Sequence, residues 1–302
     1  MDANEYRHAF RGYSEEDVLL IESFAMQATS GSPGFITDFM GIKIRVENLW
    51  KSARELDGRV LGIPIPEDFH AEAIEWIGLL KSVKSAKNQY VAMELGAGIG
   101  PWLVAGAIAA RRQGIRAIRL YGVEADPEHF QAMRQHFADN GIDPSLHQLY
   151  EGVAGVEDGT AYWPDSPVES REDWGNRPER AGSRATYRGF PGKLRPIKSH
   201  SVAKLLCKER LWDLLHIDIQ GDEVAICRSC LSELNRRVRR IVVGTHSRQI
   251  DGEMLVLLHN EKWILEREIP TKFAFRADAP SLEDMTITDG TQVWLNPRHG
   301  VA

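Results

Sequence analysis

The sequence is poor in cysteine and contains no disulfide pattern. Its three cysteines, Cys207, Cys227 and Cys230, are odd in number and sparse, which argues against a disulfide framework. Cys227 and Cys230 form a C-x-x-C pair, but the pair falls inside a helical pattern, and no second ligand pair stands at zinc-like spacing. We therefore interpret these two cysteines as small residues on the buried face of a helix.

Long apolar runs and an excess of basic residues are also missing. No segment approaches the roughly 18 consecutive apolar residues that a membrane span needs, so we expect no membrane partner. The charged start MDANEYRHAFRGYSEED lacks the apolar core of a signal peptide, which predicts a cytoplasmic protein. A net charge of -6 argues against nucleic acid, because neutralising phosphates requires a basic surface. The sequence leaves a homo-oligomer open.

Two parts differ in their patterns. Residues 1–85 predict an N-terminal helical extension, with a capping box from Ser14 to Asp17. Residues 86–302 alternate strand and helix patterns, which predicts an α/β domain with a Rossmann-like doubly wound sheet. The strands are predicted in YVAMEL, AIRLYGVEAD, LHQLYEGVAG, WDLLHIDIQG and RRIVVGTHS, and one helix is predicted in EVAICRSCLSELNRRV. The stretches WILEREI and TQVWLN predict a late antiparallel strand pair at one edge of this mostly parallel sheet.

Residues 163–200 interrupt the alternation. They are rich in Pro, Gly, Ser and Arg without an apolar period, which favours a long, lid-like loop over the ligand crevice, with a floppy insertion as the alternative. The basic character of this segment would suit an anionic acceptor, and a solvated loop is equally compatible with it. Its arginines are Arg171, Arg177, Arg180, Arg184, Arg188 and Arg195.

A glycine-rich turn, MELGAGIGPW, follows the first predicted strand of the sheet. A triphosphate-binding loop would need Lys and a hydroxyl residue where this chain has Pro101 and Trp102, and an NAD loop would need its third glycine one residue later. Glu94 followed by alternate glycines instead matches the loop of S-adenosylmethionine-dependent methyltransferases. These glycines let the backbone approach the cofactor, while the Glu94 carboxylate can favour its cationic groups. The loop glycines are Gly96, Gly98 and Gly100.

A second acid supports an adenosyl ligand. Glu124, followed by Ala125, ends the second strand and is placed to accept hydrogen bonds from ribose hydroxyls. NAD folds use the same device, so these residues predict an adenosyl cofactor more firmly than they predict which one.

Several separated motifs resemble the FkbM-type methyltransferases over roughly residues 34–270. The motifs are ELGAGIGPW, LYGVEADPEHF, WDLLHIDIQGDE and GFITDFMGIKIR. The resemblance implies an S-adenosylmethionine-dependent O-methyltransferase that acts on a hydroxyl of a saccharide or secondary metabolite. It also implies that the glycine loop and Glu124 bind the cofactor and that Asp218 stands at the crevice. Gln220 departs from the family, many of whose members have Glu at this position.

Methylation of a hydroxyl requires a base or a metal ion to remove its proton. Asp218, Glu223 and His246 follow predicted strand ends, so we expect them at one edge of the sheet, with His246 as the preferred base and Asp218 beside it. The three could instead bind Mg²⁺, or serve structure only, as a helix cap or a satisfied polar residue. His216 is a further candidate on the same strand as Asp218.

Two other functions compete with methyl transfer. An NAD-dependent oxidoreductase or epimerase is disfavoured by the glycine spacing and by the absence of a Tyr-x-x-x-Lys pair on a predicted helix. A catalytically silent module that retains the adenosyl pocket is disfavoured by the presence of Glu94, Glu124 and Asp218. RNA methylation is disfavoured by the net charge and by the lack of an Asn-Pro-Pro-Tyr type motif. We therefore expect a small-molecule or saccharide acceptor.

Overall fold

The computed structural model describes residues 13–26, 30–65, 73–165, 174–178, 185–187, 190–279 and 281–300. The first elements are α1 (Glu15–Glu22), β1 (Phe35–Thr37), β2 (Lys43–Arg45), α2 (Ala73–Ser85), β3 (Gln89–Leu95), α3 (Pro101–Arg112), β4 (Ala117–Glu124), α4 (Pro127–Asp139) and β5 (Gln148–Glu151). Next come β6 (Val153–Gly155), β7 (Gly159–Asp165), β8 (Ala185–Tyr187), β9 (Phe190–Ser201), α5 (Val202–Leu206) and β10 (Leu214–Ile217). The last are α6 (Glu223–Ser229), α7 (Leu231–Arg237), β11 (Arg240–Thr245), α8 (Arg248–Asn260), β12 (Ile264–Ile269), β13 (Lys272–Phe273), β14 (Thr286–Thr288) and β15 (Gly290–Leu295).

The central sheet has seven strands in the order β12-β15-β11-β10-β3-β4-β5. The strands from β11 to β5 are parallel, and β15 is antiparallel to both of its neighbours, β11 and β12. From β3 the chain continues outward through β4 to β5, and it later returns to β10 on the other side of β3. The strand order therefore reverses between β3 and β10. The predicted Rossmann-like sheet and its late antiparallel pair are confirmed.

Burial explains why these segments form strands. Every residue of β10, β11 and β15 is buried, as is every residue of β3 after Gln89. Strands covered on both faces require continuous apolar runs, which is the pattern that the sequence shows. Pro101 and Pro127 begin α3 and α4 directly after the carboxyl-end turns of β3 and β4. Both helix starts therefore lie at the same edge of the sheet.

The N-terminal part contains a β-hairpin in addition to helices. The capping box of Ser14 and Asp17 is present at the start of α1. Strands β1 and β2 pair antiparallel, and the Asp38 carboxylate closes their turn by accepting hydrogen bonds from the Met40 and Ile42 amides, both at 2.8 Å. The hairpin is a feature that the predicted helical extension does not include, and it forms because this short side-chain-capped turn favours pairing of its flanking residues.

Helix α2 packs directly on the central sheet. A Cβ atom on Gly78 would lie 2.4 Å from Val242 Cγ2, so only glycine permits this approach. One hydrophobic core joins Ile21 and Ile77 with Leu103 and Val242. The predicted boundary between residues 1–85 and 86–302 therefore does not coincide with a gap in packing.

The segment 163–200 is not the long loop that its composition predicts. Strand β9 pairs with β6, β7 and β8, so the described residues of this segment include most of a small second sheet. The loop prediction is wrong for residues 163–165, 185–187 and 190–200, because these stretches pair with one another through β9, the central strand of the small sheet, although their Pro- and Gly-containing sequence lacks an apolar period. Arg171, Arg180, Arg184 and Arg188 lie outside the described residues, so their part of the prediction stands untested.

The predicted helix after β10 is divided into α6 and α7. The backbone leaves helical geometry at Cys230, which ends α6 and precedes α7. Cys227 and Cys230 are buried and unbridged, as expected for small core residues. In the part of the chain that the structure describes, no helix is long and apolar enough to cross a bilayer.

Candidate functional site

A crevice opens where the strand order reverses, beyond the carboxyl ends of β3, β4 and β10. Ligands of doubly wound sheets bind at this position. Its described lining comprises Gly96, Gly98, Val123, Glu124, Ala125, His129, Gly152, Val153, Ala154, Trp163, Trp174, Asn176, Pro178, Asp218, Ile219, Gln220 and Asp222. Four residues of the predicted cofactor set, Gly96, Gly98, Glu124 and Ala125, therefore reach the crevice, together with Asp218 of the predicted catalytic pair.

The glycines of the loop are required by contact as well as by conformation. Gly96 has a φ of 71°, and a Cβ atom there would lie 1.7 Å from the Asp218 carbonyl oxygen. Gly98 has a φ of 52°, and its Cβ would lie 2.8 Å from the Trp174 ring. These two glycines allow the loop to lie between Asp218 and Trp174.

Glu124 shapes the crevice through backbone hydrogen bonds. Its two carboxyl oxygens accept from the Gly98 amide at 2.6 Å and from the Asp126 amide at 2.7 Å. Burial raises the pKa of Glu124 to about 7, although these backbone donors favour the carboxylate. Glu124 therefore joins the first loop of the crevice to the second.

Glu94 and Gly100 do not line the crevice, in contrast to the sequence-based expectation. The Glu94 side chain is 2% exposed, and its Oε2 accepts a hydrogen bond from the Leu103 amide at 3.1 Å. Burial raises the pKa of Glu94 well above its usual value. Because α3 returns directly over β3, this carboxyl group reaches the first-turn amides of the helix instead of a ligand. Gly100 packs on Met133 and Phe137 of α4.

Two aromatic side chains of the crevice were not anticipated from the sequence. The ring of Trp174 stacks on His129, with centroids 4.2 Å apart and an interplanar angle of 15°. Burial lowers the pKa of His129, which favours the neutral imidazole. Trp174 lies in the segment whose composition predicts a loop, and no pattern there marks a ligand-facing residue. His129 follows the N-cap Asp126 by three positions, where helix formation alone accounts for a polar residue.

Asp218, Glu223 and His246 come together as the sequence predicts. His246 Nε2 lies 3.0 Å from Asp218 Oδ1, and His246 Nδ1 lies 2.9 Å from Glu223 Oε1. Glu223 is fully buried and also accepts hydrogen bonds from the Ile219 and Gly221 amides. Asp218 is the solvent-facing member, with 42% of its side chain exposed.

The charges of this cluster are mutually dependent. Burial opposes the imidazolium, but the carboxyl groups of Asp218 and Glu223, each within 3.0 Å of a ring nitrogen, outweigh it and raise the pKa of His246 to about 11. Partial desolvation opposes ionisation of Asp218, yet the hydrogen bond and charge of His246 hold its pKa below the usual value. At neutral pH His246 is therefore a proton donor, whereas the general base that we predict there must accept a proton.

The Gln220 side chain donates a hydrogen bond to Asp218 at a position where a glutamate would repel it. Its Nε2 donates a hydrogen bond to Asp218 Oδ1 at 3.1 Å, and its backbone adopts a φ of 61°. A carboxylate at this position would face Asp218 with like charge. Gln220, the residue that departs from the FkbM pattern, thus donates a hydrogen bond to Asp218, the exposed catalytic candidate.

The described residues contain no group of three or more His, Cys, Asp or Glu side chains arranged to hold a metal ion. In the predicted magnesium set, both nitrogens of His246 face carboxylate oxygens of Asp218 and Glu223. The imidazole therefore stands between the two carboxylates, at the position that a shared cation would need. The structure gives no support to the predicted Mg²⁺.

A second cavity of about 240 Å³ lies on the other side of Asp218. Its lining comprises Asp38, Ile42, Ile44, Trp50, Glu75, Trp76, Pro101, Trp102, His136 and Asp218. Trp102 lines this cavity and packs against Trp76 and His216. His216 Nε2 is 3.2 Å from Glu75 Oε1, so His216 points away from the crevice that the sequence predicts for it.

The fold and the crevice define a Rossmann-like α/β protein with an acidic ligand site. Its sequence is 33% identical over 284 residues to the "Putative methyltransferase" of Jannaschia sp. (strain CCS1), covering 92% of this chain and 98% of that protein. The chain belongs to this methyltransferase family. No protein-family model matches the sequence, so membership of the FkbM family stays a prediction.

Several solved structures resemble the fold at low identity. The O-methyltransferase from Bacillus cereus in complex with SAH has a TM-score of 0.39 and 10% identity, and the match covers 73% of this chain and 79% of that one. Precorrin-6y C5,15-methyltransferase from Geobacter metallireducens GS-15 has a TM-score of 0.41 and 10% identity, and the match covers 76% of this chain and 90% of that one. Similarity at this level carries no argument about activity.

Replacing Gly96 with Ala tests the close approach of the loop to Asp218. The added Cβ must displace the Asp218 carbonyl and adopt a left-handed φ, so we expect the free energy of unfolding to fall by roughly 1–3 kcal/mol. Gly252→Ala on α8 is the matched control, because its Cβ would meet nothing within 4 Å. This control should gain up to about 1 kcal/mol. Urea denaturation measures both, and a Gly96→Ala variant that is at least as stable as wild type contradicts the contact.

Replacing His246 with Gln tests the charged cluster through its pH dependence. The folded-state pKa is raised from 6.5 to about 11, so the stabilisation from this group is full below about pH 6.5 and is lost as the pH rises towards 11. The stability difference between wild type and variant should therefore shrink steadily from pH 6 to pH 10. Urea denaturation at each pH measures it, with the exposed His259→Gln as control. A difference that is constant over this range contradicts the prediction.

Proposed function

We propose that this protein transfers a methyl group from S-adenosylmethionine to a hydroxyl of a small-molecule or saccharide acceptor, as FkbM-type enzymes do. Membership of a methyltransferase family supports methyl transfer. The observation that carries the choice of cofactor is the charge of the crevice. Its described lining includes the acids Glu124, Asp218 and Asp222 and no Lys or Arg.

This charge distinguishes between the two adenosyl cofactors. S-adenosylmethionine carries a sulfonium and an ammonium group against one carboxylate, so its net charge is positive. NAD carries a pyrophosphate, which in Rossmann folds lies at a helix N-terminus. The acids of the lining favour the first ligand, although one guanidinium group, that of Arg195, lies beside the lining and donates to the Ala125 carbonyl at 3.0 Å.

The start of helix α3 gives a second argument against NAD. In the dinucleotide fold, the first-turn amides of this helix face the pyrophosphate. Here the Leu103 amide already donates to Glu94 Oε2 at 3.1 Å. A carboxyl group of the chain therefore occupies the anion position, and a pyrophosphate would have to displace it from a fully covered site.

Asp218 is the best-placed proton acceptor of the cluster. When bound, the cofactor supplies a methyl group on a sulfonium that a hydroxyl oxygen can attack in line as the carbon–sulfur bond breaks. The hydrogen bond and charge of His246 lower the pKa of Asp218, so Asp218 accepts the hydroxyl proton as the carbon–sulfur bond breaks and not before. Asp218 receives it because it alone of the three is well exposed. Glu223 and His246 hold its carboxylate in place.

Replacing Glu124 with Ala tests the cofactor assignment. The change frees the Gly98 and Asp126 amides and removes an acid from the crevice, so the Kd for S-adenosylmethionine should rise at least about tenfold. Glu151→Ala is the matched control, because Glu151 is the exposed register partner of Glu124 on β5. Calorimetry with S-adenosylmethionine, S-adenosylhomocysteine and NAD measures the binding. Binding of NAD without either sulfur ligand would favour the oxidoreductase instead.

Replacing Asp218 with Asn tests proton removal separately from binding. We expect transfer from tritiated S-adenosylmethionine to a pool of neutral hexosides to fall by roughly 10²–10⁴, because the amide cannot accept the proton. The Kd for the cofactor should change little. Cofactor binding without transfer in the wild type favours the silent module, and an Asn variant that retains wild-type transfer removes Asp218 from the base role.

A further inference from the structure

The second cavity has a composition that suits a ligand. It lies between the N-terminal hairpin, α2 and the start of α3, and Asp218 lines both this cavity and the cofactor crevice. A molecule bound here would thus contact the same carboxylate that faces the cofactor site from the other side. Substrate and cofactor sites that meet at the proton acceptor are what a transfer reaction requires.

Two buried polar atoms of this cavity have no partner. Trp76 is 5% exposed and its Nε1 makes no hydrogen bond; His136 is 2% exposed and its Nε2 makes none. Both residues line the cavity. Buried polar groups are rarely left unpaired, because each costs free energy comparable to a lost hydrogen bond. These atoms therefore indicate a polar ligand.

The protonation of His136 fixes what its free nitrogen can do. Nδ1 lies 3.0 Å from the Ile99 carbonyl oxygen, which can only accept, so Nδ1 carries the proton. Burial lowers the pKa of His136 to about 4, although the bond to Ile99 opposes this, and the ring is neutral at physiological pH. Nε2 is therefore a buried, unprotonated acceptor on a residue of the cavity wall.

The remaining polar groups are mostly acceptors as well. Asp38, Glu75 and Asp218 supply carboxyl oxygens, and Trp76 Nε1 supplies a donor. The described lining has no Lys or Arg. A ligand with many hydroxyl donors satisfies such a surface, whereas an anion would meet three carboxyl groups and no Lys or Arg of the described lining.

Aromatic walls define the shape of the cavity. Trp76 and Trp102 meet edge to face with centroids 5.0 Å apart, and Trp50 completes the tryptophan set. Large rings offer flat apolar surface beside the polar groups. A volume of about 240 Å³ is below the ~300–1,000 Å³ of pockets that enclose drug-sized ligands, so the cavity fits one ring rather than a chain of them.

We propose that this cavity is the acceptor site and that it binds an uncharged, polyhydroxylated ring. Trp76 Nε1 donates to one ligand oxygen, His136 Nε2 accepts from one ligand hydroxyl, and Asp218 accepts from the hydroxyl that is methylated. The proposal rests on the proposed function and deepens it, because it names where the acceptor binds and excludes anionic acceptors. The proposal disagrees with the other interpretation of residues 163–200, in which a basic lid selects an anionic acceptor.

Binding can be read at Trp76 itself. We would label the tryptophan indoles with ¹⁵N, saturate the full chain with S-adenosylhomocysteine, and assign the Trp76 signal with Trp76→Phe. Titration with methyl hexopyranosides is compared with the matching hexuronates and hexose 6-phosphates. At least one neutral hexoside should shift the Trp76 signal, with a Kd at least tenfold below that of its anionic counterparts. A Trp76 signal that no neutral hexoside shifts, or equal affinity for an anion, overturns the proposal.

A filled cavity provides the matched variant. Ile44→Trp places a large ring in the cavity wall, so the hexoside-induced shift should disappear while the Kd for S-adenosylhomocysteine stays within about threefold. Val256→Trp on the exposed face of α8 is the control and should behave as wild type. If the wild type does not bind S-adenosylhomocysteine, the proposed function is refuted. If the wild type binds it and Ile44→Trp still shows the hexoside-induced shift, only the acceptor site is refuted.

Discussion

The site depends on one close backbone contact between β3 and β10, the two strands at which the sheet order reverses. The Asp218 amide donates to the Leu95 carbonyl at 2.9 Å, and the absent side chain of Gly96 leaves room for the Asp218 carbonyl. This contact sets the height at which Asp218 leaves the sheet, and thereby its distance from His246 and from the glycine loop. Any larger residue at Gly96 would separate the two halves of the crevice.

Around this contact the protein divides its carboxyl groups by task. Glu94 has a structural role, because it accepts a hydrogen bond from a first-turn amide of α3. Glu124 connects the two loops that form the wall of the crevice. Of these three acids, Asp218 combines solvent exposure with a neighbouring imidazolium. Whether an acid is aspartate or glutamate does not determine its role. The role depends on where the residue lies relative to the helix that returns over the sheet.

The sequence predicts the sheet well because buried parallel strands and proline-started helices leave strong local patterns. It also brings Asp218, Glu223 and His246 to one edge, since all three follow strand ends. It fails where partners are distant along the chain. No residue near Glu94 in the sequence reveals that the Leu103 amide will donate a hydrogen bond to its carboxyl group. Likewise, the residues around His136 and Trp76 do not reveal that the two line one cavity. The strands within 163–200 are missed because their Pro- and Gly-rich sequence carries no apolar period, and their pairing depends on partners elsewhere in the second sheet.

Residues 174–178 contact the rest of the protein through interactions of different physical kinds, among them a ring stack and an exposed ion pair. Residues 174–178 place Trp174 over the glycine loop, and Arg177 of this stretch pairs with Glu283 at 3.0 Å, with both side chains about half exposed. Exposed ion pairs contribute little free energy and are screened by dissolved salt. High ionic strength therefore weakens the Arg177–Glu283 pair, whereas the stacking of Trp174 on His129, which needs no charge, keeps the indole ring against the crevice.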